Sequence, residues 1–121
     1  MAKRGTDDPR LWGDDLSATA RRHLAALYDE NPFLALLGVR VIEAGRGRVQ
    51  LDAFTNVYGV AHGAIAMALA DTAMGAACFS CDRRAMTLDM GMNFLRPLPE
   101  GARATAVGEV IHDGRQTMVC E

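Results

Sequence analysis

Apolar residues recur at helical spacing near the start of the chain, with Leu16, Ala20, Leu24 and Leu27 on one face. Asp14 or Asp15 can cap this helix, which is expected to run to about Glu30 before Asn31-Pro32 turns the chain. Phe33, Leu34, Leu36 and Leu37 form a short apolar segment, one helical turn stopped by Gly38. Two strands are expected next. Val39 to Ala44 alternates loosely, and Gly45-Arg46-Gly47 supplies a hairpin turn. In Arg48 to Phe54, the apolar Val49, Leu51 and Ala53 alternate with Arg48, Gln50 and Asp52.

Thr55 to Ala61 reads as a loop. From His62 to about Ser80 the chain is almost wholly small and apolar. As a helix it spans roughly 27 Å, and its lack of a polar face predicts burial on all sides. A membrane-spanning helix is the rival reading. Asp71 at its centre argues against it, because a charge there costs about 2.5–3.5 kcal/mol even on a lenient insertion scale. Met86, Leu88, Met90, Met92 and Phe94 then alternate with Thr87, Asp89, Gly91 and Asn93. Residues 86–94 therefore read as the clearest strand, ended by Pro97 and Pro99. Arg103 to Ile111 is a further strand, Asp113-Gly114 a turn, and Gln116 to Glu121 the start of another. Residues 1–13 carry little pattern and read as a flexible N-terminus, with 14–121 as one domain. The order of elements gives an α+β fold, an antiparallel sheet wrapped around one long helix.

Composition narrows the function. The 121 residues suit a single domain that buries most of its surface. Thirteen basic residues against 15 acidic ones, a net charge of −2, lack the basic footprint of a nucleic-acid binder. Three cysteines cannot close a disulfide set, and the charged start MAKRGTDDPR holds no apolar export segment, so a reducing, cytoplasmic setting is expected. Cys78-x-x-Cys81 lies at the C-terminal end of the long helix, the wrong end for lowering a thiol pKa, and Cys120 stands apart. No second ligand pair accompanies the motif, so neither metal nor cofactor is implied. His23 and His112 read as surface residues, and Trp12 as a cap on the fold or a contact with a second subunit.

Two features carry candidate chemistry. Asp71 is a carboxylate inside an apolar helix; such a group is either satisfied by neighbouring hydroxyls or functional. Asn56, Gly59 and His62-Gly63 lead into the helix, whose first N–H groups and positive dipole end suit a polarised carbonyl, although an ordinary loop-to-helix junction looks the same. Asp71 lies nine residues beyond His62, about 900° and ~13 Å along the helix, hence on the opposite side. One pocket can hold both only if a second subunit supplies one of them, which predicts a composite site in a symmetric oligomer.

The stretches NVYGVAHGAIAMALADTAMGAA and MTLDMGMNFLRPLPEG resemble the PaaI-type acyl-CoA thioesterases of the hotdog fold. The resemblance covers about residues 33–121. It implies that Asn56 and the Gly63 N–H polarise the thioester carbonyl. It implies that Asp71 of the partner subunit acts as general base on water, or as nucleophile, with Thr87 holding that water. His62 shapes the loop beside Ala64, and Arg83, Arg84 and Arg96 are candidate phosphate contacts for coenzyme A. The implied substrate is an aryl- or medium-chain acyl-CoA, and the implied assembly a dimer or tetramer. A non-catalytic acyl-CoA binder or sensor is the alternative, and a hydratase or dehydratase a third reading. The chain departs from the family in His62-Gly63-Ala64, where His-Gly-Gly is usual. Family members also continue past the position of Glu121, so the sheet is expected to lack its last strand.

Overall fold

A computed structural model describes residues 6–54, 63–99 and 101–121. After a 3-10 turn at Pro9–Leu11 come α1 (Ala18–Glu30), α2 (Pro32–Leu37), β1 (Arg40–Gly45) and β2 (Arg48–Phe54). Then follow α3 (Gly63–Ser80), β3 (Arg103–Asp113) and β4 (Met118–Cys120). The strands form one antiparallel sheet in the order β1-β2-β3-β4, and α3 lies across β2 and β3.

The cap of α1 is Ser17, whose Oγ accepts the Ala20 N–H at 2.9 Å, and not Asp14 or Asp15. The expected acidic cap is displaced because the Asp15 carboxylate lies over Gly13 and Gly45 instead. Asn31 caps α2, accepting from the N–H groups of Phe33 and Leu34. Gly38 ends α2 at φ 65°, and the Val39 N–H returns to the Leu34 carbonyl at 3.0 Å. The β1–β2 turn needs Gly47 at φ 80°; the Ser80 hydroxyl accepts its N–H at 2.6 Å and so ties the turn to the end of α3.

Small residues let the helix approach the sheet. Ala73, Ala76 and Ala77 are buried, and a Cβ on Gly108 would stand 2.4 Å from the Ala73 backbone. The register places Val49 opposite Gly108, Leu51 opposite Ala106 and Ala53 opposite Ala104, so one sheet face meets α3. Leu24, Tyr28, Leu34, Val39 and Leu69 complete the core. Residues 6–13, read from sequence as flexible, lie against this core. Trp12 is buried, its Nε1 donates to the Thr6 carbonyl at 3.0 Å, and the Gly13 N–H donates to the Ala44 carbonyl at 2.7 Å.

Two further expectations are corrected. First, α3 is not buried all round: Ala64 and Met67 are exposed and Asp71 half-buried, because the sheet covers only one side. By length and composition α3 could cross a membrane, but Leu69, Ala73 and Ala76 are buried in the core it shares with β2 and β3. Second, residues 86–94 form no strand among the described residues. Alternation specifies which side chains share a face, but a strand also needs a neighbour to accept its backbone hydrogen bonds. The sheet ends at β4, and residues 86–94 pair with no strand among the described residues. Of the alternating stripe, Met86 is 95% and Leu88 88% exposed, while Met90 and Met92 are half-buried.

Candidate active site

Asp71 lies half-buried on the open face of α3, whereas Cys78, seven residues on, is buried under β4. The segment after α3 doubles back over this face. Thr87 Oγ1 donates to Asp71 Oδ1 at 2.6 Å, a short charge-assisted bond. Thr87 itself is exposed, and Asp71 Oδ2 accepts no hydrogen bond among the described residues. A carboxylate held on one oxygen and open on the other can accept a proton from a water beside it. The hydroxyl that satisfies Asp71 is the one expected to help position that water.

Gly63 opens α3, and the Phe94 ring lies against it. A Cβ on Gly63 would stand 3.1 Å from Phe94 Cε1. Glycine here lets an aromatic ring sit directly on the first turn of the helix, where backbone N–H groups lack helical acceptors. Together with Ala66, Met92, Leu95 and Leu98, they line a groove of about 550 Å³. From sequence Phe94 reads as one of a stripe on one strand face and as part of the Asn-Phe-Leu-Arg-Pro stretch that carries the family resemblance. A glycine at a helix start followed by an aromatic residue on the returning segment was the available signal.

Asp71 and Thr87 come together within one chain, while Gly63 stands apart from them. Eight residues of helix separate Gly63 and Asp71, about 12 Å of rise with ~80° of rotation. Asn56, Gly59 and His62 lie outside the described residues, and Ala64 is exposed beside Gly63. The three arginines go to different places. Arg83 Nη1 bonds Asp113 at 2.7 Å, and its Nη2 bonds the Gly114 and Arg115 carbonyls at 2.9 and 3.2 Å. Its guanidinium therefore clamps the β3–β4 turn. Arg84 lines a second groove, of about 790 Å³, with His23, Leu27, Phe79 and Met86. Arg96 is exposed on the rim of the groove beside Gly63. Among the described residues no group of three or more His, Cys, Asp or Glu side chains could hold a metal ion.

An antiparallel sheet laid against one long helix is the arrangement of the hotdog fold. Residues 58–121 match the thioesterase superfamily. The chain is 30% identical over 109 residues to acyl-coenzyme A thioesterase PaaI of Escherichia coli K12, a match spanning 86% of this chain and 78% of that protein. The solved structure of E. coli PaaI, from the phenylacetic acid degradation operon, superposes with a TM-score of 0.80 at 30% identity, covering 87% of this chain and 80% of that one. A thioesterase family protein from Silicibacter pomeroyi superposes with a TM-score of 0.69 at 31% identity, covering 79% and 76%. A mutant of the phenylacetic acid degradation protein PaaI from Thermus thermophilus gives 0.64 at 30% identity, covering 70% and 77%. The chain belongs to the thioesterase superfamily, within which it is PaaI-like, and it is a thioester hydrolase.

Proposed function

We propose that the chain hydrolyses aryl- or medium-chain acyl-CoA thioesters in a site built from two copies of itself. The observation that carries this reading is the Asp71–Thr87 pair on the open face of α3, in a chain whose relative is an acyl-CoA thioesterase. Asn56 and the Gly63 N–H of one subunit polarise the thioester carbonyl. Asp71 of the other takes a proton from a water that Thr87 helps to hold. The water oxygen adds to the carbonyl carbon, and the tetrahedral intermediate collapses with cleavage of the C–S bond. The leaving coenzyme A thiolate takes up the proton, and the free acid departs.

The ~12 Å between Gly63 and Asp71 along one helix supports a site built from two copies. The bared apolar side chains of Met86, Leu88 and Leu95 are consistent with coverage by a second chain. The apolar groove beside Gly63 suits an acyl or aryl group, with Arg96 at its rim for a phosphate. Arg84 remains a candidate for the same role, and Arg83 a weaker one because the turn engages it. Three free thiols fit a reducing, cytoplasmic setting.

The test is thiol release from phenylacetyl-, benzoyl-, hexanoyl- and palmitoyl-CoA by wild type and Asp71→Asn. Turnover that depends on Asp71 supports hydrolysis, and the preferred substrate defines the acyl class. Folded, dimeric protein that binds these compounds without turnover favours a sensor or carrier. A catalytically competent monomer would overturn the composite site.

A further inference from the structure

The sequence groups Cys78 with Cys81 and leaves Cys120 apart. The fold groups them otherwise. Cys78 is buried on α3, and its Sγ lies 3.4 Å from the Sγ of Cys120 on β4. The Cys120 sulfur also lies 3.8 Å from the Met74 carbonyl, so β4 holds it directly over the helix. Cys81 stands past the helix end toward the β1–β2 turn, where a Cβ on Gly47 would be 3.7 Å from its sulfur. All three are thiols.

We infer that Cys78 and Cys120 form a reversible disulfide by exchange with small aliphatic disulfides, and that this crosslink pins β4 to α3. The inference goes beyond thioester hydrolysis and does not depend on it. Cys120, half-buried at the end of the sheet, is the more accessible thiol. Its thiolate attacks one sulfur of RS–SR; that S–S bond breaks, and RS⁻ leaves with the proton Cys120 lost. Cys78 then attacks the Cys120 sulfur of the mixed disulfide, and the second RS⁻ leaves with the Cys78 proton. Two protein thiols are oxidised, and one small disulfide is reduced to two thiols.

Closure brings the sulfurs from 3.4 Å to a bond length of about 2 Å, a small movement for a three-residue strand. Burial, and then the hydrogen bond with Cys120, push the Cys78 thiol up to about 12. Direct attack by Cys78 on an external reagent is therefore slow, which gives the exchange its order, Cys120 first. The crosslink encloses residues 78–120, and constraint of the unfolded chain over a loop of this size raises the melting temperature by roughly 10 °C. Asp71 lies seven residues before Cys78 on the same helix, so the staple stiffens the element that carries it.

The test incubates the whole folded chain with mixtures of oxidised and reduced glutathione, followed by intact mass, non-reducing peptide mapping and thermal melting. The expected product has lost two hydrogens, links Cys78 to Cys120, leaves Cys81 free, melts roughly 10 °C higher and reverts with dithiothreitol. Cys81→Ser is expected to retain all of this, and Cys120→Ser to abolish it. Cys78→Ala, a small residue in an alanine-rich helix, serves if Cys120→Ser does not fold. A Cys78–Cys81 crosslink overturns the inference. So does a glutathione adduct on Cys120 that never closes, folded protein that resists oxidation, or a crosslink that leaves melting unchanged.

Discussion

Replacing Asp71 by asparagine keeps the side chain's shape and its capacity to accept the Thr87 hydroxyl, but removes its basicity. If Asp71 takes the proton of the attacking water, turnover falls by about 10²–10⁴, the usual contribution of a general base. At 1.36 kcal/mol per factor of ten, that is about 3–5 kcal/mol of barrier. The 2.6 Å bond from Thr87 provides a second, smaller perturbation. A hydrogen bond to a charged group is worth about 1.5–3 kcal/mol, and the exposure of Thr87 places it at the lower end. Thr87→Val is thus expected to slow the reaction about tenfold. Because both residues act on one water, the double variant should resemble Asp71→Asn alone. Neither change removes core packing, so melting temperatures should stay within about 3 °C of wild type. Initial rates of thiol release across the acyl-CoA panel, with melting curves on the same preparations, make the measurement. Folded Asp71→Asn with turnover within about threefold of wild type would refute the assignment.

Gly108→Ala should destabilise by at least about 3 kcal/mol, because its Cβ meets the Ala73 backbone at 2.4 Å; Gly75→Ala, with nothing within 4 Å, should stabilise by about 0.5–1 kcal/mol. Urea midpoints compare the two. Tyr28 is buried, and its hydroxyl lacks a hydrogen-bond partner among the described residues. Tyr28→Phe should therefore be neutral or stabilising by up to about 1 kcal/mol in the same urea assay. Arg83→Ala should loosen the β3–β4 turn by about 1 kcal/mol while leaving KM for acyl-CoA unchanged; a large rise in KM would return Arg83 to the substrate. The Ser17 hydroxyl, and then Arg46, hold the Asp82 carboxyl below its usual range. A depressed folded-state pKa gives stability that is present above the ordinary carboxylate pKa and lost as pH falls through the lower, folded value. Melting temperature measured from about pH 5 to pH 2 should fall less for Asp82→Asn than for wild type.

Much of the fold was legible because its signals are local. Alternation in Arg48 to Phe54 defined β2, and the Gly45–Gly47 turn defined its register against β1. Asn31-Pro32 and Gly38 bounded α2 through capping and a positive φ. The run of alanines before and after Asp71 announced a helix that a sheet could approach closely, and Gly108 is where that approach is tightest. Asp71 stood out because a carboxylate among alanines needs a reason, and Thr87 stood out through the resemblance. The cap of α1 was missed because Asp14, Asp15 and Ser17 all suit an N-cap by type. The choice fell to Ser17 when Asp15 turned toward Gly13 and Gly45.

What the sequence by itself determined was where the helices and the paired strands β1 to β4 form and which residues are able to do chemistry. Those properties depend on neighbours within a few positions along the chain. Tertiary structure alone decided which strands found partners, and it left residues 86–94 outside the sheet despite their clean alternation. It committed Arg83 to the β3–β4 turn, set Phe94 on Gly63, and brought Cys120 rather than Cys81 against Cys78. Each of these is a contact between residues that the chain separates by tens of positions. Spacing along a sequence carries no record of such contacts, because they exist only once the helix and the sheet have docked.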